Sequence, residues 1–232
     1  MNRKLDHQKM GHSESGWLRS LFHFSFADYH NPDNMNFGVL RVINDDLVNA
    51  GNGFGTHGHR DMEIFTYVID GELTHGDNMG NTHTIGRGHV QYMSAGTGVR
   101  HSEYNYGEGT ARLLQIWILP DQRGLAPNYG DMNFTADQRQ NKWLNVVSGM
   151  NGDAPIKMHQ NASIHVLELD QGRQINFSVA VGRQAYLVQI EGQSQINGLT
   201  LNMRDGLEAV EESLQITALE KSHCLLIDMQ KA

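Results

Sequence analysis

The sequence predicts an all-β protein made of two tandem barrels, and three observations carry that reading. Glycine is abundant (25 residues) and proline scarce (4), which suits many short strands joined by glycine turns better than long helices. Apolar runs are short and evenly spaced, with turn residues between them, as the antiparallel strands of a barrel or sandwich require. The second half also reads as a worn copy of the first. Tyr186-Leu-Val-Gln-Ile-Glu-Gly192 echoes Tyr67-Val-Ile-Asp-Gly71, and Arg204-Asp-Gly206 echoes Arg87-Gly88. A chain of 232 residues accommodates two such domains, 1–130 and 131–232, each with material for a core.

The elements follow in order. Segment 17–31, beginning at Trp17, is dense in aromatics and is expected as a strand or loop packed on the core rather than as a binding element. Residues 39–43 form a strand, and Asn44-Asp45-Asp46 reads as the turn after it. Residues 63–69 form another, closed by Asp70-Gly71, a two-residue hairpin signal. Residues 72–75 return, and 77–81 turn again. Strands at 82–85, 90–93, 99–104 and 113–119 continue the series, and the Pro/Gly-marked stretch 120–141 reads as a linker.

Composition narrows the function classes. A net charge of −8 argues against an electrostatic footprint for nucleic acid or an acidic membrane surface. Cys224 is the single cysteine, so no intrachain disulfide forms, and its apolar run predicts a buried, inert thiol. The N-terminus has no apolar signal core, and no stretch approaches the ~20 apolar residues that span a bilayer, so a cytoplasmic location is expected.

The chemistry is concentrated in two short motifs, His57-Gly-His59 and His101-Ser-Glu103. Residues two apart on a strand point to one face, roughly 6–7 Å apart along the chain. Two such strands side by side aim three imidazoles and one carboxylate at a single ion, a set suited to a divalent first-row transition metal. Glu63, four residues beyond His59, is a second carboxylate that strand parity allows to face inward. Spacing alone does not choose between Glu63 and Glu103.

These motifs resemble the paired signatures of the cupin superfamily. A longer set, Trp17, Phe22-His-Phe-Ser-Phe-Ala-Asp-Tyr-His-Asn-Pro32, Arg41-Val-Ile-Asn-Asp45, Gly53-Phe-Gly-Thr-His-Gly-His-Arg-Asp-Met-Glu63 and Met93-Ser-Ala-Gly-Thr-Gly-Val-Arg-His-Ser-Glu-Tyr-Asn105, resembles the pirin family. These stretches span most of the first ~120 residues. One departure is Gly58, where many pirins carry proline; it loosens the strand but removes no donor.

The resemblance implies a bicupin with one metal site, in the first barrel, held by His57, His59, His101 and Glu103. Glu63 then becomes an acceptor that orients a ligand histidine, or a carboxylate satisfied by backbone donors. It also implies a quercetin 2,3-dioxygenase activity on flavonols with dioxygen, with Glu103 as the catalytic base. Fe(II) is the first choice of ion, with Mn, Co, Ni, Cu or Zn as alternatives. The alternative implied by another pirin is a regulatory protein in which metal redox state controls a protein partner. Registering the repeat on its glycines sets Ser178, Ala180, Leu219 and Lys221 opposite the four donors, so the second barrel is expected to be metal-free.

Overall fold

Alternation of side chains along extended strands builds this molecule, and the computed structural model describes it for residues 2–231. In the strand Glu63–Asp70, Ile64, Thr66 and Val68 face a barrel interior, while Glu63, Phe65 and Tyr67 face the opposite side. All six are buried. A strand covered on both faces loses polar/apolar alternation and reads as a continuous apolar run.

The chain forms two compact units. The first comprises Gly11–Asn133 with Met158–Gln160; the second comprises the N-terminal stretch to Met10, Phe134–Lys157 and the chain from Asn161 onward. A division at residue 130 would leave the first ten residues in the first barrel. The strand Asn2–Leu5 pairs instead with Gly206–Val210 of the second unit. His7 and Lys4 fasten it there through buried Asp205, at 2.7 and 2.9 Å.

Each unit is a cupin-type barrel made from a seven-stranded and a four-stranded sheet, all antiparallel. In the first unit the large sheet runs in the order Asn128–Asn133, His89–Ser94, Glu63–Asp70, Ala111–Ile118, Leu40–Val48, Leu18–Phe22, Gly11–Glu14. The small sheet runs Asn52–His59, Val99–Asn105, Glu72–Asp77, Thr82–Gly86. The second unit repeats this with a small sheet of Gln174–Phe177, Leu214–Ala218, Ser194–Ile196 and Leu199–Leu201. Gly71 closes the 70–71 hairpin with φ +72°, and a Cβ there would approach Ala111 Cα to 2.9 Å, so only glycine fits.

Two expectations are corrected. Asn44, Asp45 and Asp46 do not turn; they lie in mid-strand in Leu40–Val48, paired on both sides and buried. Polar residues alone suggest a turn, but here neighbouring strands satisfy the backbone and Arg112 clamps Asp45 at 2.6 and 3.0 Å. Nor is 120–141 merely a linker. Asn128–Asn133 pairs with His89–Ser94, and Ala136–Arg139 is a short helix. Cys224 is buried, with its thiol pushed up to about 12 by burial, as its apolar run predicts. Among the described residues no helix is long and apolar enough to cross a membrane.

Candidate metal centre

Two adjacent strands of the small sheet carry the histidines. His57 pairs with His101 across Asn52–His59 and Val99–Asn105, so both side chains leave the sheet on one face. His59 lies two residues further along that face. The ring centroids form a near-equilateral triangle: 4.5 Å for His57–His101, 4.8 Å for His57–His59 and 4.9 Å for His59–His101. One nitrogen from each ring lies within 4.8 Å of one from either other ring.

Between His101 and Glu103 the register slips, with Glu103 opposite Phe54 rather than Gly55, its partner in unbroken succession. That β-bulge puts an extra residue in the Gly53–His57 stretch and changes which side chains face inward. Gly53 permits it, because a Cβ there would fall 2.2 Å from the Glu103 carbonyl oxygen.

Two of the rings, His59 and His101, are held in the neutral form that binds a metal. Burial, then the neighbouring His101 and His57, lowers His59 to about 4. Burial, then His57 and His75, lowers His101 to about 3. His57 Nδ1 lies 2.8 Å from the Gly55 carbonyl oxygen, to which it must donate, so Nε2 is the ring nitrogen turned to the other two histidines' space as a candidate ligand atom.

His101 is set by a longer chain, through a residue outside both motifs. His75 is fully buried in Glu72–Asp77, with Nε2 3.0 Å from Asp77 Oδ2 and Nδ1 3.4 Å from His101 Nδ1. Burial opposes the charge on Asp77, but bonds from His75, Asn81 and the Met79 backbone together hold its carboxyl below the ordinary range. An ionised Asp77 only accepts, so His75 donates from Nε2, and in its neutral tautomer it then accepts at Nδ1. His101 therefore donates from Nδ1, and its lone pair sits on Nε2. That atom is buried without a partner among the described residues. An orphaned imidazole nitrogen beside two others is what a metal site requires. The available signal was His75-Gly-Asp77, a third pair at two-residue spacing. Tyr129, from the stretch read as a linker, stacks on His75 at 4.3 Å and 17°.

The two carboxylates have different surroundings. Glu103 is 2% exposed and lines the same cavity as the three histidines. It groups with His101 and His75 rather than with His57 and His59. Its Oε1 accepts from Gln91 Nε2 at 2.8 Å and Thr66 Oγ1 at 3.2 Å; its Oε2 accepts from Gln115 Nε2 at 3.0 Å and keeps a further lone pair. Glu63 faces away, on the opposite parity from Ile64 and Thr66. It accepts from Ser94 Oγ (2.6 Å), the His159 backbone N–H (3.0 Å) and Tyr92 Oη (3.1 Å). Glu63 therefore holds structure together and orients none of the three histidines, contrary to the role expected of it.

The histidines open on a cavity of about 460 Å³, within the roughly 300–1,000 Å³ of small-molecule sites. Its walls are largely aromatic: Trp17, Phe22, Phe26, Phe54 and Trp117. The N-terminal aromatic segment, expected only as core packing, supplies three of these. His59 packs edge-on against Trp117 at 4.9 Å. Ser20, Asn44, Asp46 and Gln115 add a polar stripe from the large sheet.

Known proteins match the chain along nearly its whole length. The Pirin family model matches residues 4–118, and the model of the quercetinase C-terminal cupin domain matches 137–229. A pirin-like protein of Caulobacter vibrioides is 43% identical over 222 residues, covering 95% of this chain and 96% of its own. The quercetin 2,3-dioxygenase of Escherichia coli K12 is 43% identical over 222 residues, covering 94% of each chain. Among solved structures, the Escherichia coli bacterial pirin YhhW in complex with nickel(II) superposes with a TM-score of 0.94 at 39% identity, covering all of both chains.

Proposed function

Because this chain belongs to the pirin family, we propose that it is a metal-dependent dioxygenase that cleaves flavonols such as quercetin. His57, His59, His101 and Glu103 would hold one divalent ion, with Fe(II) first in order and Mn, Co, Ni, Cu or Zn as alternatives. One observation carries the reading: three imidazoles converge on the wall of an aromatic cavity, and one of them presents a buried nitrogen with no partner among the described residues. Relatives named quercetin 2,3-dioxygenase support the substrate class.

When bound, the ion supplies Lewis acidity and a template for adjacent hydroxyl and keto oxygens and for dioxygen. The chain's own residues do the rest. The aromatic walls accept a flat, polycyclic substrate and exclude water from it. Glu103, once detached from the ion, would be the base that takes the substrate's hydroxyl proton, on the Oε2 lone pair that Gln115 leaves free. Gln91, Thr66 and Gln115 hold that carboxylate in one orientation, so little reorganisation accompanies proton transfer. The flavonolate so formed reacts with dioxygen, its central ring opens, and carbon monoxide leaves.

The test is aerobic turnover by iron-loaded protein. Quercetin should disappear with stoichiometric dioxygen uptake and carbon monoxide release, and His101→Ala should abolish both. Full metal occupancy with no turnover of any flavonol would overturn the reading.

A further inference from the structure

Asn44 and Asp46 are 4% and 3% exposed, yet both line the cavity, and Oδ1 of each has no hydrogen-bond partner among the described residues. They stand two apart in Leu40–Val48, so both side chains leave the large sheet on one face. The facing wall, from the small sheet, carries His57, His59, His101 and Glu103. Trp117, on the strand beside Leu40–Val48, adds a third unsatisfied buried atom, the Nε1–H donor. Other polar groups nearby are already occupied. Gln115 bonds Glu103, and Ser20 bonds the Asp46 carboxyl.

Buried polar atoms are nearly always paired, and cavity-facing exceptions are the atoms a ligand completes. Two acceptors beside one donor define the ligand's chemistry. A carboxylate or phosphate would bring acceptors to acceptors and is rejected. Hydroxyl groups donate to Asn44 and Asp46 and can still accept from Trp117. The surrounding Phe22, Phe26 and Trp17 require those hydroxyls to sit on an apolar, flat frame.

We infer that Asn44 and Asp46, with Trp117, form a subsite for phenolic hydroxyls, placed across the cavity from the metal donors. It selects aromatic substrates hydroxylated on a ring other than the one that meets the metal. This deepens the flavonol reading and rests on it. The high pKa of Asp46, about 7 and due first to burial, agrees: Ser20 bonds the carboxyl, but its Oδ1 has no donor among the described residues, and a ligand hydroxyl would supply one. Hydroxyls in a 1,3 relation reach two acceptors so spaced more readily than adjacent ones, whose oxygens nearly touch.

Binding to the iron-loaded protein under nitrogen, where no turnover occurs, provides the test, read by quenching of tryptophan fluorescence. The probes are quercetin and 3-hydroxyflavone, which shares the metal-binding hydroxyl and keto pair but lacks the other hydroxyls. Wild type should prefer quercetin by roughly tenfold or more. Asn44→Leu and Asp46→Leu should each erase most of that preference by weakening quercetin alone, and unchanged 3-hydroxyflavone binding certifies the fold. An undiminished preference in both variants, or none in wild type, overturns the subsite, with water then its only occupant, and leaves the flavonol reading standing. If neither flavonol binds, the flavonol reading fails separately. Phloroglucinol then decides: weaker binding in Asn44→Leu upholds the subsite, and equal or absent binding overturns it.

Discussion

The two barrels share one strand plan and fill it differently. In the first, Asn52–His59 and Val99–Asn105 carry His57, His59, His101 and Glu103 around a cavity of about 460 Å³. In the second, the corresponding small-sheet strands Gln174–Phe177 and Leu214–Ala218 pair Ile175 with Ile216 and Phe177 with Leu214. Those residues pack with Leu167, Leu187, Leu207 and Leu226 into a continuous apolar interior. None of these side chains offers a lone pair to an ion. Each fully buried aliphatic contributes about 1.5–3 kcal/mol to folding, whereas each unpaired buried polar group costs roughly 1–3 kcal/mol. One interior is thus spent on stability, and the other gives up stability for a site.

The contrast is broken most directly at the metal. His101→Ala should take bound metal from about one ion per chain to nearly none, measured by elemental analysis of anaerobically purified protein. The mirror-image change, Ile216→Ala, should cost about 2–5 kcal/mol in denaturant unfolding while metal content stays as in wild type. Metal loss in that variant would contradict the division of roles.

Smaller effects sharpen the comparison inside the first barrel. In Asp77→Asn the amide nitrogen would face His75 Nε2 and reverse the hydrogen-bond chain, moving the His101 proton to Nε2. Metal affinity should fall roughly 10–100-fold by calorimetry. Nitrogen-15 spectra of the metal-free protein should show His101 switching tautomer; an unchanged tautomer would refute the relay.

The smallest effect concerns stability and pH. Because Asp46 has a raised folded-state pKa of about 7, the folded protein holds a proton there that the unfolded chain releases near the ordinary carboxylate range. Wild-type stability is therefore lost as pH climbs from about 4 to 7. Metal-free Asp46→Asn should melt no higher than wild type at pH 4 and higher at pH 8, with the offset opening as pH rises toward about 7. A constant offset across that range would count against a buried, unsatisfied carboxyl.

Much of the site was legible because a strand's period of two is local. His57-Gly-His59 and His101-Ser-Glu103 announce shared faces wherever those strands lie, and the glycine-marked repeat announces two barrels. The repeat could not fix register at a distance. Ser178, Ala180, Leu219 and Lys221 lie just past the ends of the second unit's strands, and Ile175, Phe177, Leu214, Ile216 and Ala218 pack into its interior. A polar triplet such as Asn44-Asp45-Asp46 looks like a turn from its composition, since nothing local reports that partners on both sides pair its backbone.

The sequence by itself determined the strand-rich class, the doubling and the two histidine-bearing motifs whose side chains share a face, all of which follow from spacing and composition. Only the tertiary structure decided that a bulge near Gly55 turns Phe54 and His57 to one side and that His75 and Asp77 orient His101. It also turned Glu63 away and opened Asn44 and Asp46 onto the cavity. Each of those outcomes depends on which distant strand lies alongside, and pairing between strands is a property of the whole sheet.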